Sequence, residues 1–209
     1  MTPRSSPAPC AVTVLFLAAL SVMPAMAADP AASGSFALSR DASPSLRLTE
    51  QPGEAPAGEL HVLEIWADGR IRVQRPSYMK GSPRAESRLA PDELDEILAM
   101  LESRGVLDFD ADASRARLKQ ARAAQFERAR VDPSAVIMDA TDPDSTSLEI
   151  RLDRTMPGDP RSQIRQDVRR IDWLGLRADA RFFPECPELA GLAAAQAALW
   201  RLTDREGLR

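Results

Sequence analysis

The sequence is poor in the residue types on which most catalytic sites depend. Its 209 residues include one histidine, His61, and two cysteines, Cys10 and Cys186. No Gly-x-Ser-x-Gly motif accompanies the histidine, and the sequence has no glycine-rich phosphate-binding motif. These absences argue against an elbow-type serine hydrolase and against a nucleotide-binding enzyme, and no cofactor is expected.

Lysine is scarce, and the net charge is negative. Lys80 and Lys119 are the only lysines, so nearly every cation is an arginine, whose planar guanidinium suits carboxylate pairing and aromatic stacking. The 31 acidic residues exceed the 27 basic ones, which gives a formal net charge of −4. Because nucleic-acid-binding domains are usually basic, this balance argues against a nucleic-acid partner.

Only one long apolar run is present, and it lies near the N-terminus. Arg4 precedes the uncharged residues 10–23, and small residues at Ala25 and Ala27 form a signal-peptidase site before Ala28. The run is shorter than the roughly 20 residues of a membrane-spanning helix, and Pro24 follows it. We therefore expect a secretory signal peptide and export to the periplasm or the medium.

Cleavage between Ala27 and Ala28 has consequences for the rest of the chain. It removes Cys10, so Cys186 is left alone and no internal disulfide is expected. It also removes Arg4, which changes the formal net charge from −4 to −5. We expect a signal peptide at 1–27, a flexible Pro/Ala/Ser-rich linker at 28–44, and one soluble domain at 45–209 without a transmembrane segment.

The order of the predicted elements favours an α+β fold. Hairpins are predicted at 60–75 and 134–153, helices at 91–104, 112–130 and 187–204, and further strands at 45–50, 85–89 and 163–171. Because hairpins join antiparallel neighbours, we expect an antiparallel sheet of about five to six strands. About three helices should pack mainly on one face of it.

The first hairpin has two possible registers, which its side chains distinguish. A two-residue turn would mix polar and apolar residues on both faces. A three-residue loop, with Gly69 in the left-handed region, pairs Trp66 with Arg70 and Glu64 with Arg72, and it separates the faces cleanly. We predict the three-residue loop.

Five short segments of the chain share a resemblance with other proteins. They are LRLTE at 46–50, ADGR at 67–70, LAPDE at 89–93, DWLGL at 172–176 and ARFFP at 180–184. With these segments the chain resembles a group of secreted bacterial proteins that have no assigned activity. The resemblance implies the α+β architecture and no catalytic residue.

An enzyme built on this sequence would have to use His61. The enzymatic hypothesis is a hydrolase in which His61 acts with Cys186 or with a nearby carboxylate. The predicted register instead places His61 on the buried face of a strand, as a hydrogen-bonded core residue. A helix beginning at Pro187 would favour the Cys186 thiolate, whereas the alternative is a small apolar side chain packed beneath that helix.

Two surface regions are candidate binding sites. Trp66 is expected to point away from the aliphatic residues, opposite Arg70, where it could stack on the guanidinium and form a patch with Tyr78 and Met79. The alternative is that a helix or the N-terminal segment covers this tryptophan, since tryptophan is highly buried on average.

The second region is the predicted helix at 112–130. Arg115, Lys119 and Arg122 recur with i, i+4, i+7 spacing, so they share one face of the helix. Residues 115–130 hold six cations and one anion. This face would dock to an acidic partner or an anionic envelope surface, or would be a solvated face paired with the protein's own carboxylates.

No metal site is predicted. Asp108, Asp110 and Asp112 imitate the start of a calcium loop, but Ala113 and Lys119 stand where that loop needs glycine and glutamate. One histidine and one remaining cysteine are too few for a structural zinc site.

The sequence as a whole favours a non-enzymatic, exported binding or structural module of the bacterial cell envelope. Its expected partner is an envelope protein or an anionic surface. Two alternatives stay open: the hydrolase that uses His61, and attachment to an anionic surface through residues 115–130.

Overall fold

The computed structural model describes residues 36–56, 58–132, 143–155 and 164–208, which form an α+β fold. An antiparallel sheet of seven strands lies against four α-helices. The predicted fold class is therefore confirmed, with one more strand and one more helix than expected. Among the described residues, no helix is both long and apolar enough to cross a membrane.

The elements follow in an order that places most strands before the first helix. The strands are β1 (Phe36–Leu38), β2 (Leu46–Gln51), β3 (His61–Ile65), β4 (Arg70–Gln74), β5 (Arg84–Arg88), β6 (Ser145–Thr155) and β7 (Ile164–Leu174). The helices are α1 (Pro91–Ser103), α2 (Ala111–Val131), α3 (Leu176–Phe182) and α4 (Pro187–Arg201), followed by a 3₁₀ turn at Leu202–Asp204.

The sheet is organised around β6. One edge of β6 pairs with β2 and, farther along, with β1, while its other edge pairs with β7 over its whole length. From β2 the sheet continues through β3 and β4 to β5. β7 and β5 therefore lie at opposite edges of the sheet.

The β3–β4 hairpin has the predicted three-residue loop. Glu64 lies opposite Arg72, and the Trp66 N–H donates to the Arg70 carbonyl over 2.9 Å. Gly69 has a φ of 85°, and a Cβ there would clash with the Leu89 carbonyl oxygen. The glycine is thus required both by its backbone conformation and by the close approach of residue 89.

One face of the sheet carries the hydrophobic core. In β2, Leu46 and Leu48 are fully buried, whereas Arg47 between them is exposed, because successive side chains point to opposite faces. Their cross-strand neighbours are aliphatic as well. The helices complete this core with Ile97, Leu101, Leu189, Leu192 and Leu199.

The first two helices begin at caps that their sequences provide. Pro91 occupies the first turn of α1, and the Glu93 carboxylate accepts the Ala90 N–H over 2.7 Å. The Asp110 carboxylate caps α2 by accepting the N–H groups of Asp112 and Ala113 at 3.0 and 2.9 Å. The aspartates that imitate the start of a calcium loop therefore lie at the beginning of α2, where Asp110 is the N-cap.

The layout differs from the predictions in three places. The segment predicted as a linker at 28–44 contains β1, since Leu38 packs into the core and the Ser45 hydroxyl donates to the Ser39 carbonyl over 2.6 Å. α3 was not predicted, and α4 ends at Arg201. The predicted strand at 134–139 lies outside the described residues, and the hairpin partner of β6 is β7.

The opposite face of the sheet carries a row of alternating charges. Across β5, β4, β3, β2, β6 and β7, the residues directly opposite one another are Glu86, Arg72, Glu64, Arg47, Glu149 and Arg170. Arg72 Nε lies 2.8 Å from Glu64 Oε2. Because each neighbour has the opposite sign, this charge row contributes to strand pairing and neutralises itself.

Candidate binding groove

A groove of about 750 Å³ opens between α2, the end of β7 and α3. α2 contributes two of the predicted basic residues to it, and the strand and the short helix contribute apolar and acidic side chains. Its lining includes Arg115, Arg122, Phe126, Leu174 and Asp179. We refer to this site as the α2 groove.

The spacing of residues along α2 places the basic side chains at the rim of the α2 groove. Only Ser114, Leu118 and Ala121 are buried, so this helix contacts the rest of the protein along a narrow stripe. Arg115 and Arg122 lie along one side of that stripe. Lys119 lines an adjoining depression of about 420 Å³ together with both arginines and Phe126. The structure thus brings the three predicted residues to one surface.

A buried carboxylate anchors the inner wall of the groove. Asp179 is 4 % exposed; its Oδ1 accepts from Arg122 Nη2 at 2.6 Å, and its Oδ2 accepts from Trp173 Nε1 at 2.9 Å. The Arg122 guanidinium also lies 5.7 Å from the centre of the Phe183 ring. Arg122 therefore has a structural role, since its loss would leave a buried charge without its cation.

Arg115 is tied to the groove more loosely. Its Nη2 donates to the Asp172 carbonyl at 2.8 Å, and its Nη1 lies 3.1 Å from an oxygen of the exposed Asp112 carboxylate. Half of the Arg115 side chain is exposed. Because both contacts lie at the surface, Arg115 can exchange them for a ligand carboxylate at little cost.

Most cations of α2 are already paired within the chain. Ion pairs join Arg115 to Asp112, Arg117 to Glu188, Arg122 to Asp179, and Arg130 to Glu127. Lys119 and Arg128 have no carboxylate partner in the part of the chain that the structure describes. Most of the basic face of α2 is therefore paired with the protein's own carboxylates, which was one of the two hypotheses. The cations that a ligand could still contact lie at the groove.

Large apolar side chains are exposed beside these cations. Phe126 is 51 % exposed and Leu174 is 62 % exposed, and both line the α2 groove. A second depression of about 470 Å³ shares Phe182 and Phe183 with the groove and continues to Val131, near the end of α2. The apolar surface is therefore contiguous, as is typical of a protein contact site.

His61 lies on the helix-facing side of β3, as predicted. Its ring stacks on Trp200 with the centroids 3.8 Å apart and an angle of 11° between the planes. Its Nε2 is buried and has no hydrogen-bond partner among the described residues, so stacking replaces the hydrogen bond that was expected. Burial, with Arg75 and Arg177 nearby, lowers the pKa of His61 to about 4.

A carboxylate does lie beside His61, but its charge is already paired. Glu50 is directly opposite His61 in the β2–β3 pair, and its carboxylate lies 2.7 Å from Arg177 Nη2. Glu50 is 6 % exposed, and burial raises its pKa despite that arginine. A general base acting through His61 and Glu50 would therefore have to use a carboxylate that already forms an ion pair.

Cys186 is a packed residue at the start of α4. It is fully buried, and burial raises the pKa of its thiol, so the proposed activation by the helix dipole is not realised. Trp200, on which His61 stacks, lies fourteen residues farther along, which corresponds to about 21 Å of helix. The alternative hypothesis that His61 acts with Cys186 is therefore geometrically excluded.

Of the two arrangements considered for Trp66, the structure has the covered one. Trp66 is 7 % exposed, and its Nε1 donates to the Ala42 carbonyl at 3.2 Å, so the N-terminal segment covers it. The predicted stacking with Arg70 is present, with the guanidinium 4.1 Å from the ring centre. Tyr78, 53 % exposed, follows β4 and so lies at the other end of the hairpin.

Two residues of the groove escaped the sequence analysis. Phe126 continues the spacing of Arg115, Lys119 and Arg122 by a further turn, so a lone aromatic on that face was a usable signal. Asp179 gave no such signal, because its partner Arg122 is 57 residues away. In the described ranges, no group of three or more His, Cys, Asp or Glu residues is arranged to hold a metal ion.

Comparisons with models of protein families, with curated proteins and with solved structures found no match for this chain. The resemblance to secreted bacterial proteins stays a prediction.

Proposed function

We propose that this protein is an exported, non-enzymatic binding module, and that its α2 groove docks an acidic, apolar segment of another envelope protein. The observation that carries the proposal is the juxtaposition of available cations and exposed apolar side chains along one groove. Arg115 and Lys119 provide the positive charge, and Phe126 and Leu174 provide the apolar contact.

The chemistry of the groove favours a protein segment over a uniformly charged surface. Four of the six cations in residues 115–130 are engaged with carboxylates, which reduces long-range attraction to an anionic membrane. The exposed Phe126 and Leu174 require a ligand that buries apolar surface in the same place. A segment with acidic and apolar residues satisfies both requirements.

The positions of His61 and Cys186 support a non-enzymatic role. The thiol is buried with a raised pKa, and the imidazole is half-buried and stacked on Trp200 at the other end of α4. Neither residue lines the α2 groove. Among the described residues, the charged groups that line the groove are arginines and aspartates, which suit binding.

Charge reversal of the rim tests the proposal. We expect Arg115→Glu with Lys119→Glu to weaken capture of the partner from an envelope extract by at least about tenfold, and added salt to weaken wild-type capture. Arg122 is left intact because it holds Asp179. The matched control reverses Arg84 and Arg88 on the distant strand β5 and should capture as wild type does.

Two results would contradict this proposal. Equal loss in the groove variant and in the β5 variant would show that only overall charge matters. Salt-sensitive sedimentation with anionic liposomes, in place of a protein partner, would favour surface attachment.

A further inference from the structure

Strand β7 lies at an edge of the sheet, and every second residue of it directs its backbone N–H and C=O groups away from the sheet. The Arg151 N–H donates to Ser45 and its carbonyl accepts from Ser39, so odd-numbered residues of β6 face β1 and β2. Even-numbered residues of β6 therefore face β7, where the register places odd-numbered residues opposite them. The N–H and C=O groups of residues 166, 168, 170, 172 and 174 consequently point away from the sheet.

An independent contact confirms this direction. The Asp172 carbonyl accepts from Arg115 Nη2, a side chain of α2 rather than a strand. Within the described residues, β6 is the only strand that pairs with β7. An eleven-residue edge of this kind is a template for another strand.

The side chains beside this edge are unusually apolar for a free strand. Val168 is 54 % exposed and Leu174 is 62 % exposed, and both project from the sheet face that carries the charge row. Between them on the same face lie Arg170 and Asp172, whose side chains are also more than half exposed. Along the edge, the exposed side chains are therefore in turn apolar, basic, acidic and apolar, from Val168 to Leu174.

We propose that β7 pairs antiparallel with β7 of a second copy of this chain, around a twofold axis at Ile171. This register sets Arg170 opposite Asp172 and Val168 opposite Leu174, and the twofold axis repeats both pairs. All four residues have outward backbone groups, so each opposite pair exchanges both backbone hydrogen bonds. The seven-stranded sheets of the two copies become continuous.

Charge and apolarity select this register over its neighbours. A twofold axis at Arg170 would set that arginine opposite itself, and an axis at Arg169 would set Val168 opposite Arg170. Directly opposed like charges destabilise a strand pair, whereas opposite charges and apolar pairs stabilise it.

For the two β7 strands to pair, one hydrogen bond within each chain must be replaced by a hydrogen bond between the chains. The Arg115 guanidinium must leave the Asp172 carbonyl, which then accepts the N–H of Arg170 from the second copy. Arg115 is half exposed and also contacts Asp112, so its release leaves no buried group without a partner. This self-association does not rest on the proposed docking, although it pairs Leu174 and releases Arg115, both of which line the α2 groove.

Charge exchange at the axis tests the proposal. Analytical ultracentrifugation of the protein, purified as the cell produces it, should show a dimer. Arg170→Asp and Asp172→Arg should each raise the dimer dissociation constant on the order of tenfold, because each opposes like charges twice. An equimolar mixture of the two variants should associate as wild type does, since opposite charges then meet, and the double variant should also recover.

Proline at an outward position tests the backbone. Val168→Pro removes an N–H that no described strand accepts, so the fold should persist, as circular dichroism would show, while the dimer is lost. Val168→Thr retains the N–H and should retain the dimer. A wild-type monomer at every concentration would overturn the proposal, as would a dimer that survives Val168→Pro or a mixture of charge variants that fails to associate.

Discussion

At the scale of single residues, three of the buried polar groups show how this protein tolerates burial. Asp179 is fully paired, Glu50 is paired with Arg177, and the His61 Nε2 lacks a partner among the described residues. Paired groups tolerate burial, whereas an unpaired imidazole does so only in its neutral form. The single histidine is therefore a structural residue whose protonation opposes folding.

This state of His61 predicts a dependence of stability on pH. The pKa of His61 is about 4 in the folded protein and about 6.5 in the unfolded chain, so the unfolded chain binds the proton first as pH falls. The free energy of unfolding should decrease between about pH 6.5 and about pH 4, by about 2 kcal/mol after allowance for partial solvent exposure. Urea unfolding across this range measures it.

The variant His61→Phe isolates that contribution, because phenylalanine can stack on Trp200 and does not titrate. Glu50, whose pKa is raised, acts in the opposite direction and is present in both proteins. The difference between the two stability curves should therefore change only in the histidine range. Parallel curves would refute the assignment.

The residue scale also shows what sequence can and cannot predict. The burial of His61 followed from its place in an alternating strand. The role of Asp179 could not be predicted in this way, because its partners lie on other elements: Trp173 on β7 and Arg122 on α2. Local pattern specifies which face a residue occupies, and tertiary packing decides which distant group meets it there.

At the scale of elements, the β3–β4 hairpin is the most securely predicted feature. Its register followed from the segregation of polar and apolar faces, and the structure has that register. The short helix α3 was missed because seven residues carry too little periodicity to be distinguished from a loop. The cover over Trp66 was an open alternative, since the segment that reaches Ala42 has little strand character.

The hairpin loop provides a stability prediction with a matched control. Gly69 and Gly58 both have φ near 90°, so alanine is strained at either position. A Cβ at Gly69 would also clash with the Leu89 carbonyl, whereas a Cβ at Gly58 has nothing within 4 Å. Gly58→Ala should cost about 1–2 kcal/mol, and Gly69→Ala about 2 kcal/mol more. Equal losses of stability in the two variants, measured by thermal unfolding, would contradict the close approach of the Leu89 carbonyl to residue 69.

At the scale of the whole molecule, the two faces of the sheet have different tasks. One face packs against helices and holds the core. On the other face, the charges of the row alternate in sign and are paired with one another. Binding is thereby confined to what extends beyond this layered arrangement: the groove beside α2 and the edge of β7. Composition and hairpins predicted the α+β class, but the groove arises where three elements meet.

The most direct test of the central claim is site-specific photo-crosslinking in the producing cell. A photoreactive phenylalanine analogue replaces Phe126 in the α2 groove or, as the control, Tyr78, which is equally exposed at 53 % against 51 %. We predict an adduct with a second protein species from position 126, diminished by Arg115→Glu with Lys119→Glu, and no comparable adduct from position 78. Equal adducts from the two positions, or none from position 126, would contradict the assignment of the groove as the docking site.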